Sequence, residues 1–153
     1  MSKALKSLGK VAVVLLVATA FLTAVVPLGL YWLGLSNIQG RPKPPRILGN
    51  VTADRALLEQ DLRMREPIVV EVLNPWSFFW TSFRLDEKSR SDRAAGMVAG
   101  YYISDHLRSH RMLWWHFSEA SLMIWVTRHW TADEIITAAA ARARAQPNPS
   151  AHK

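Results

Sequence analysis

The chain has 153 residues, no cysteine, a formal net charge of +7 and a pI near 10.3. The missing cysteines exclude disulfides and thiolate zinc sites, and the length allows one compact domain once an anchor is set aside. The basic residues are scattered rather than gathered into a stripe, so no nucleic acid is expected as partner. Anionic lipid head groups or acidic polymers suit such a surface instead.

Residues 1–10 carry Lys3, Lys6 and Lys10, and the next charge is Arg41. Val11 to Leu35 is almost wholly apolar and exceeds the roughly 20 residues needed to cross a bilayer core. It is expected to be a single transmembrane helix over 11–35. The preceding lysines hold the N-terminus in the cytoplasm and Tyr31 and Trp32 sit at the exit interface. A bacterial inner membrane with a periplasmic, extracytoplasmic domain follows. Ala18-Thr19-Ala20 has the small-x-small form of a signal-peptidase site, but the apolar run continues well past it, which favours an uncleaved anchor. Pro27 is tolerated inside such a helix and can kink it.

Residues 36–50 read as a linker, stiffened by the prolines of Gly40 to Pro45. A mainly α domain is expected over 51–145. Thr52 is the expected N-cap of a helix reaching about Met64, with Asp54 in its first turn and Leu57, Leu58 and Leu62 as its buried stripe. Pro67 to Leu73 is short and β-branched and suggests one strand. The aromatic stretch Asn74 to Phe83 opens on an Asn-Pro turn and forms either core or an edge dipping into the membrane, with core favoured. Leu85 to Arg93 reads as a solvated loop or a first helical turn. Helices are then expected over about Asp92–Met112, where Gly96 and Gly100 permit close packing, and over Leu113–His129. A last helix starts at the capping box Thr131-x-x-Glu134 and runs through Ile135–Ala145. Residues 146–153, with Pro147 and Pro149, read as a disordered tail.

Two groups of side chains admit a bland and a chemical reading. His106 and His110 are four apart, and His116 and Glu119 three apart, which is ligand spacing; without a His-Glu-x-x-His motif, ordinary surface or capping histidines are favoured and no metal site is expected. Trp114, Leu122, Trp125 and His129 share a helical face, which packing explains better than a sugar-stacking platform. Glu119 is the odd residue in an apolar helix. It is either paired with an arginine such as Arg111 or held in a polar cleft.

The segment Gly100-Tyr101-Tyr102-Ile103-Ser104-Asp105-His106-Leu107 keeps the glycine, isoleucine, hydroxyl and leucine of a Gly-Ser-Thr-Ile-Thr-Gln-Gln-Leu motif. Glu119-Ala120-Ser121-Leu122 matches a Glu-Ala-x-Leu helix start, and Arg128 to Ile136 tracks a helix-turn-helix. On these residues the chain resembles the peptidoglycan glycosyltransferases, the transglycosylase modules of class A penicillin-binding proteins and their monofunctional relatives. The resemblance covers about a quarter of the chain and implies a lysozyme-like helical domain working on peptidoglycan or its lipid-linked precursor. It makes Glu119 the candidate catalytic residue, matching the family's second glutamate. Arg108, Arg111, Arg128 and Ser104 are the candidate binding residues for a pyrophosphate-linked sugar. No cofactor is implied beyond the divalent metal ion that active chemistry could use at the pyrophosphate. The family's Glu-Asp-x-x-Phe-x-x-His-x-Gly motif, source of the catalytic base, has no counterpart; Glu66 and Glu71 lie at about its distance before Gly100. The Gln-Gln pair is Asp105-His106, and Trp115-His116 replaces an Arg-Lys pair. The expected outcome is therefore a divergent domain that binds glycan without turnover. The rival is a non-enzymatic accessory subunit that docks an inner-membrane protein partner through its aromatic stretch.

Overall fold

The structure, a computed structural model, describes residues 3–46, 48–63, 67–82, 90–109 and 111–145. Six helices follow in chain order: α1 Lys3–Ser36, α2 Val51–Asp61, α3 Pro75–Ser82, α4 Arg90–His106, α5 Met112–His129 and α6 Ala132–Ala145. The fold is mainly α, as the sequence suggests. Met64, Glu66, Phe83, Leu85–Ser89, His110 and the 146–153 tail lie outside the described residues.

Helix α1 contains one stretch, Lys10–Ser36, long and apolar enough to cross a membrane. Its two parts differ. From Val11 to Val26 every side chain is exposed, whereas Pro27, Tyr31, Gly34 and Leu35 are buried. That spacing is a single helical face, laid against the domain. Thr19 and Thr23 bond back to carbonyls one turn earlier (Leu15 at 2.9 Å, Thr19 at 3.0 Å), which removes their hydroxyls from the apolar exterior. Gly34 sets the helix spacing. A Cβ there would lie 2.1 Å from Ser121 Oγ and 2.4 Å from the Phe117 carbonyl oxygen, so α1 and α5 cross backbone to backbone.

The end of α1 is clamped by Asn37. Its Nδ2 donates to Ser118 Oγ at 3.0 Å and to the Ser109 carbonyl at 3.3 Å, and its Oδ1 accepts from Ser109 N at 3.1 Å. The Asn37 carbonyl accepts from Arg108 N, Gln39 N donates to the His106 carbonyl, and Ile38 bridges Leu107. These bonds explain why α4 stops at His106 and not near Met112: the following backbone groups pair with the end of α1. Gly40 follows in the left-handed region (φ 74), and Pro42 is buried. The start of the linker is thus seated on the domain.

Helix α2 is capped by Asn50, whose side chain accepts from Ala53 N at 3.2 Å, and not by Thr52, which is exposed. Arg63, left-handed at φ 50, closes it before Met64. Leu58 is fully buried, with Leu57 and Leu62 packed against the core. Pro67–Leu73 corrects the expected strand: it is extended, but among the described residues no strand pairs with it. Its backbone groups turn to side chains instead. Ile68 N donates to Glu59 Oε1 (3.0 Å), Arg55 donates to the Ile68 carbonyl, and Leu73 N donates to Thr127 Oγ1 (3.1 Å). The β-branched run buries Ile68 without needing a partner strand. Asn74 caps α3 through Trp76 N at 2.9 Å, converting the aromatic stretch into a short helix beside α1.

Helix α5 lies centrally against α1 and α4, and α6 packs on α2 and α4. The capping box of α6 forms as the sequence indicates: Glu134 N donates to Thr131 Oγ1 and Thr131 N to Glu134 Oε2, at 3.3 and 2.7 Å. Ile103, Leu122, Ile124, Val126, Ile135 and Ile136 fill the centre, all fully buried.

Candidate functional site

Between α4, the start of α5 and the end of α6 lies a cleft of about 580 Å³, bordered by Asp61 at the end of α2. That volume is within the range of small-molecule sites. Gly96, Gly100, Tyr101 and Ser104 present one face of α4 to it, Trp115 comes from α5, and Arg142 with Ala143 from α6. The glycines let α5 come close. Gly96 accommodates Met123, and a Cβ at Gly100 would lie 3.4 Å from Glu119 Oε1. Glu119, one helical turn after Trp115, is therefore set against the wall of the cleft.

Of the sequence candidates, the structure brings Ser104 and Glu119 to this region. Glu119 is half-buried and, among the described residues, makes neither a hydrogen bond nor an ion pair. The pairing with Arg111 is absent, and Glu119 approaches Gly100 without being one of the residues that line the cleft. Ser104 Oγ donates to the Tyr101 carbonyl at 2.6 Å, leaving its oxygen to accept. Arg108, Arg111 and Arg128 are exposed and none lines the cleft. Arg108 and Arg111 flank the α4–α5 turn, where their backbones take part in the Asn37 clamp and the α5 N-cap.

The cation that does line the cleft is Arg142. Its guanidinium lies over the Tyr101 ring, a cation–π contact, and burial pulls it down from its ordinary pKa while leaving it charged at neutral pH. The carboxylate there is Asp61; Glu71 is exposed and lies on another segment, and Glu66 is outside the described residues. Sequence reasoning passed over Arg142 because α6 reads as an alanine-rich scaffold. The available signal is that Arg142 and Arg144 are the only charges after Glu134 in that helix, and Arg142 falls beside the buried Ala139 and Ala143.

His106 stacks on Tyr102 with ring centres 4.0 Å apart, and His129 on Trp125 at 4.3 Å. No group of three or more metal-ligating side chains comes together among the described residues. On the face shared by Trp114, Leu122, Trp125 and His129, Leu122 is buried, Trp114 and Trp125 are half-buried and His129 is exposed, while the neighbouring Trp115 opens onto the cleft.

Chemically, the arrangement offers one guanidinium, one carboxylate, the Ser104 and Tyr101 side chains and an indole around a cavity, with a second carboxylate at its wall. Such a lining can bind a polar, hydroxyl-rich or anionic group. No protein-family model matches the chain, and no curated protein or solved structure matches it significantly.

Proposed function

We propose that the chain is a membrane-anchored, divergent relative of the peptidoglycan glycosyltransferases that binds cell-envelope glycan, or its lipid-linked precursor, without polymerising it. The observation that carries this reading is the cleft. Gly100 and Ser104, two of the residues that carry the resemblance, line it together with Arg142, and Glu119 lies against Gly100. A pyrophosphate or carboxylate on the ligand would meet Arg142, and sugar hydroxyls would meet Ser104 and Asp61. The indole of Trp115 offers an apolar sugar face somewhere to stack.

Turnover asks for more than this. A polymerase needs a base to deprotonate the attacking hydroxyl and several cations to hold the departing pyrophosphate. Among the described residues Arg142 is the one cation lining the cleft, and the candidate arginines Arg108, Arg111 and Arg128 lie elsewhere. The anchored layout, with N-terminus cytoplasmic and domain periplasmic in a bacterial inner membrane, belongs to the same proposal.

The test uses purified full-length protein in detergent with lipid-linked disaccharide, measuring both binding and chain synthesis. Wild type is expected to bind and make no polymer, and Arg142→Ala to bind at least about tenfold more weakly, the loss of one charge-assisted contact. Polymer that disappears in Glu119→Gln would replace this reading with a working transferase. Folded protein that neither binds nor polymerises would leave the accessory-subunit reading. One observation already favours that rival: Met112 and Leu113, at the start of α5, are both largely exposed.

A further inference from the structure

The aromatic helix α3 is attached to the apolar helix at a telling height. Trp76 Nε1 donates to the Ala24 carbonyl at 2.8 Å, one residue beyond the Thr23 carbonyl that Pro27 deprives of its helical partner. Ala24 lies about 10 Å back along α1 from the Tyr31–Trp32 pair, at roughly 1.5 Å per residue. If Tyr31 and Trp32 mark the exit interface, the Trp76 contact is inside the apolar layer. A span starting at Lys10 and about 20 residues long also runs past Ala24.

We propose that α3, with Val72 and Trp76, lies in the leaflet on the domain's side of the bilayer, its exposed apolar side chains covered by lipid. The proposal rests on α1 crossing the membrane. Three further observations support it. Val72 and Trp76 are 69% and 39% exposed, and Trp76 meets α1 at Ala24, next to the exposed Val25 and Val26, so an apolar surface continues from the span onto α3. Two of the polar groups there are already answered: the indole N–H by Ala24, and the first turn of α3 by Asn74. Finally, the surface has an edge. Glu71 is exposed just before Val72, and Arg41 and Lys43 follow the end of α1, cations suited to head-group phosphates. An interfacial helix buried roughly 5–10 Å deep fits between these limits.

The chain has no cysteine, so single-cysteine variants each report one place. Leu16→Cys in the span, Val72→Cys beside α3 and Ala141→Cys on the exposed side of α6 would be labelled with bimane. They would be reconstituted in vesicles of phosphatidylethanolamine and phosphatidylglycerol carrying doxyl lipid. Leu16→Cys and Val72→Cys are both expected to lose most of their fluorescence to the lipid quencher and little to aqueous iodide, with Ala141→Cys showing the reverse. Lipid quenching at Leu16→Cys while Val72→Cys behaves like Ala141→Cys would keep the span and overturn the immersed face. A Val72→Cys label shielded from both quenchers would overturn it too, in favour of a protein partner or second copy on that surface. An unquenched Leu16→Cys would remove the span and the inference together.

Discussion

Two glycines admit neighbours to opposite faces of α5, and they do opposite things. Gly34 faces Phe117 and Ser121; Gly100 faces Glu119, half a helical turn away from that pair. At Gly34 the nearest atoms to an added Cβ include a backbone carbonyl at 2.4 Å, which cannot rotate aside. At Gly100 the nearest is the end of a flexible carboxylate at 3.4 Å. The polar groups follow the same division. Around Gly34 they are answered, with Asn37 joined to Ser118 and Ser109 and the backbone of α1's end paired to the end of α4. Around Gly100 the charges of Asp61, Glu119 and Arg142 stand without ion partners among the described residues. The anchor side of α5 is a closed joint and the other side an open cleft, so stability is concentrated at the first and ligand chemistry is available at the second.

The joint can be broken most severely at Gly34. Gly34→Ala should separate α1 from α5 and destabilise the protein by about 3 kcal/mol, the upper part of the overpacking range. The expected reading is a large fall in thermal midpoint in detergent, with α1 and the domain cleaved apart by protease. A variant as stable as wild type would show that the helices do not cross this closely. Asn37→Ala comes next. It leaves the buried Ser118 hydroxyl and the Ser109 backbone short of partners and should cost about 2 kcal/mol, measured the same way.

A third change reaches the outer layer. Asp54 is buried and pairs with Arg144, tying α2 to the end of α6, while its second oxygen has no partner and Arg144 is half-exposed. Solvent at the guanidinium weakens the pair, so Arg144→Ala should cost about 1 kcal/mol. Asp54→Asn should lose little more, since the amide retains an acceptor. A loss beyond that of Asn37→Ala would mean that the α2–α6 contact, and not the anchor joint, dominates the fold.

Much of this division could be read from residues that impose local geometry. The capping box Thr131–Glu134, the apolar run of α1 and the leucine stripe of α2 rest on patterns within a few positions, and each formed as its chemistry directs. What escaped depends on contacts distant in sequence. Asn37 reads as linker until Ser109 and Ser118 are seen to meet it across more than seventy residues. The run 67–73 reads as a strand because β-branched residues suit one, but strand identity needs a partner that the described residues do not provide. Around the cleft, Ser104 and Glu119 stand out in the sequence only through the motif resemblance, whereas Asp61 and Arg142 become neighbours only when α2 and α6 pack.

The smallest change sharpens the comparison most, because it repeats the Gly34 substitution on the other face. Gly100→Ala places its methyl at ordinary contact distance from Glu119 Oε1, and the carboxylate can give way. An alanine in the body of α4 is favoured over glycine by about 0.5–1 kcal/mol, so the variant should be slightly more stable than wild type. The same methyl lines the cleft and fills the space beside Glu119 that Gly100 leaves open. Ligand binding should therefore fall while the melting temperature rises, the reverse of a structural lesion. A Gly100→Ala protein that loses stability as Gly34→Ala does would show that α5 is closed on both faces, and the cleft would lose its standing as a site.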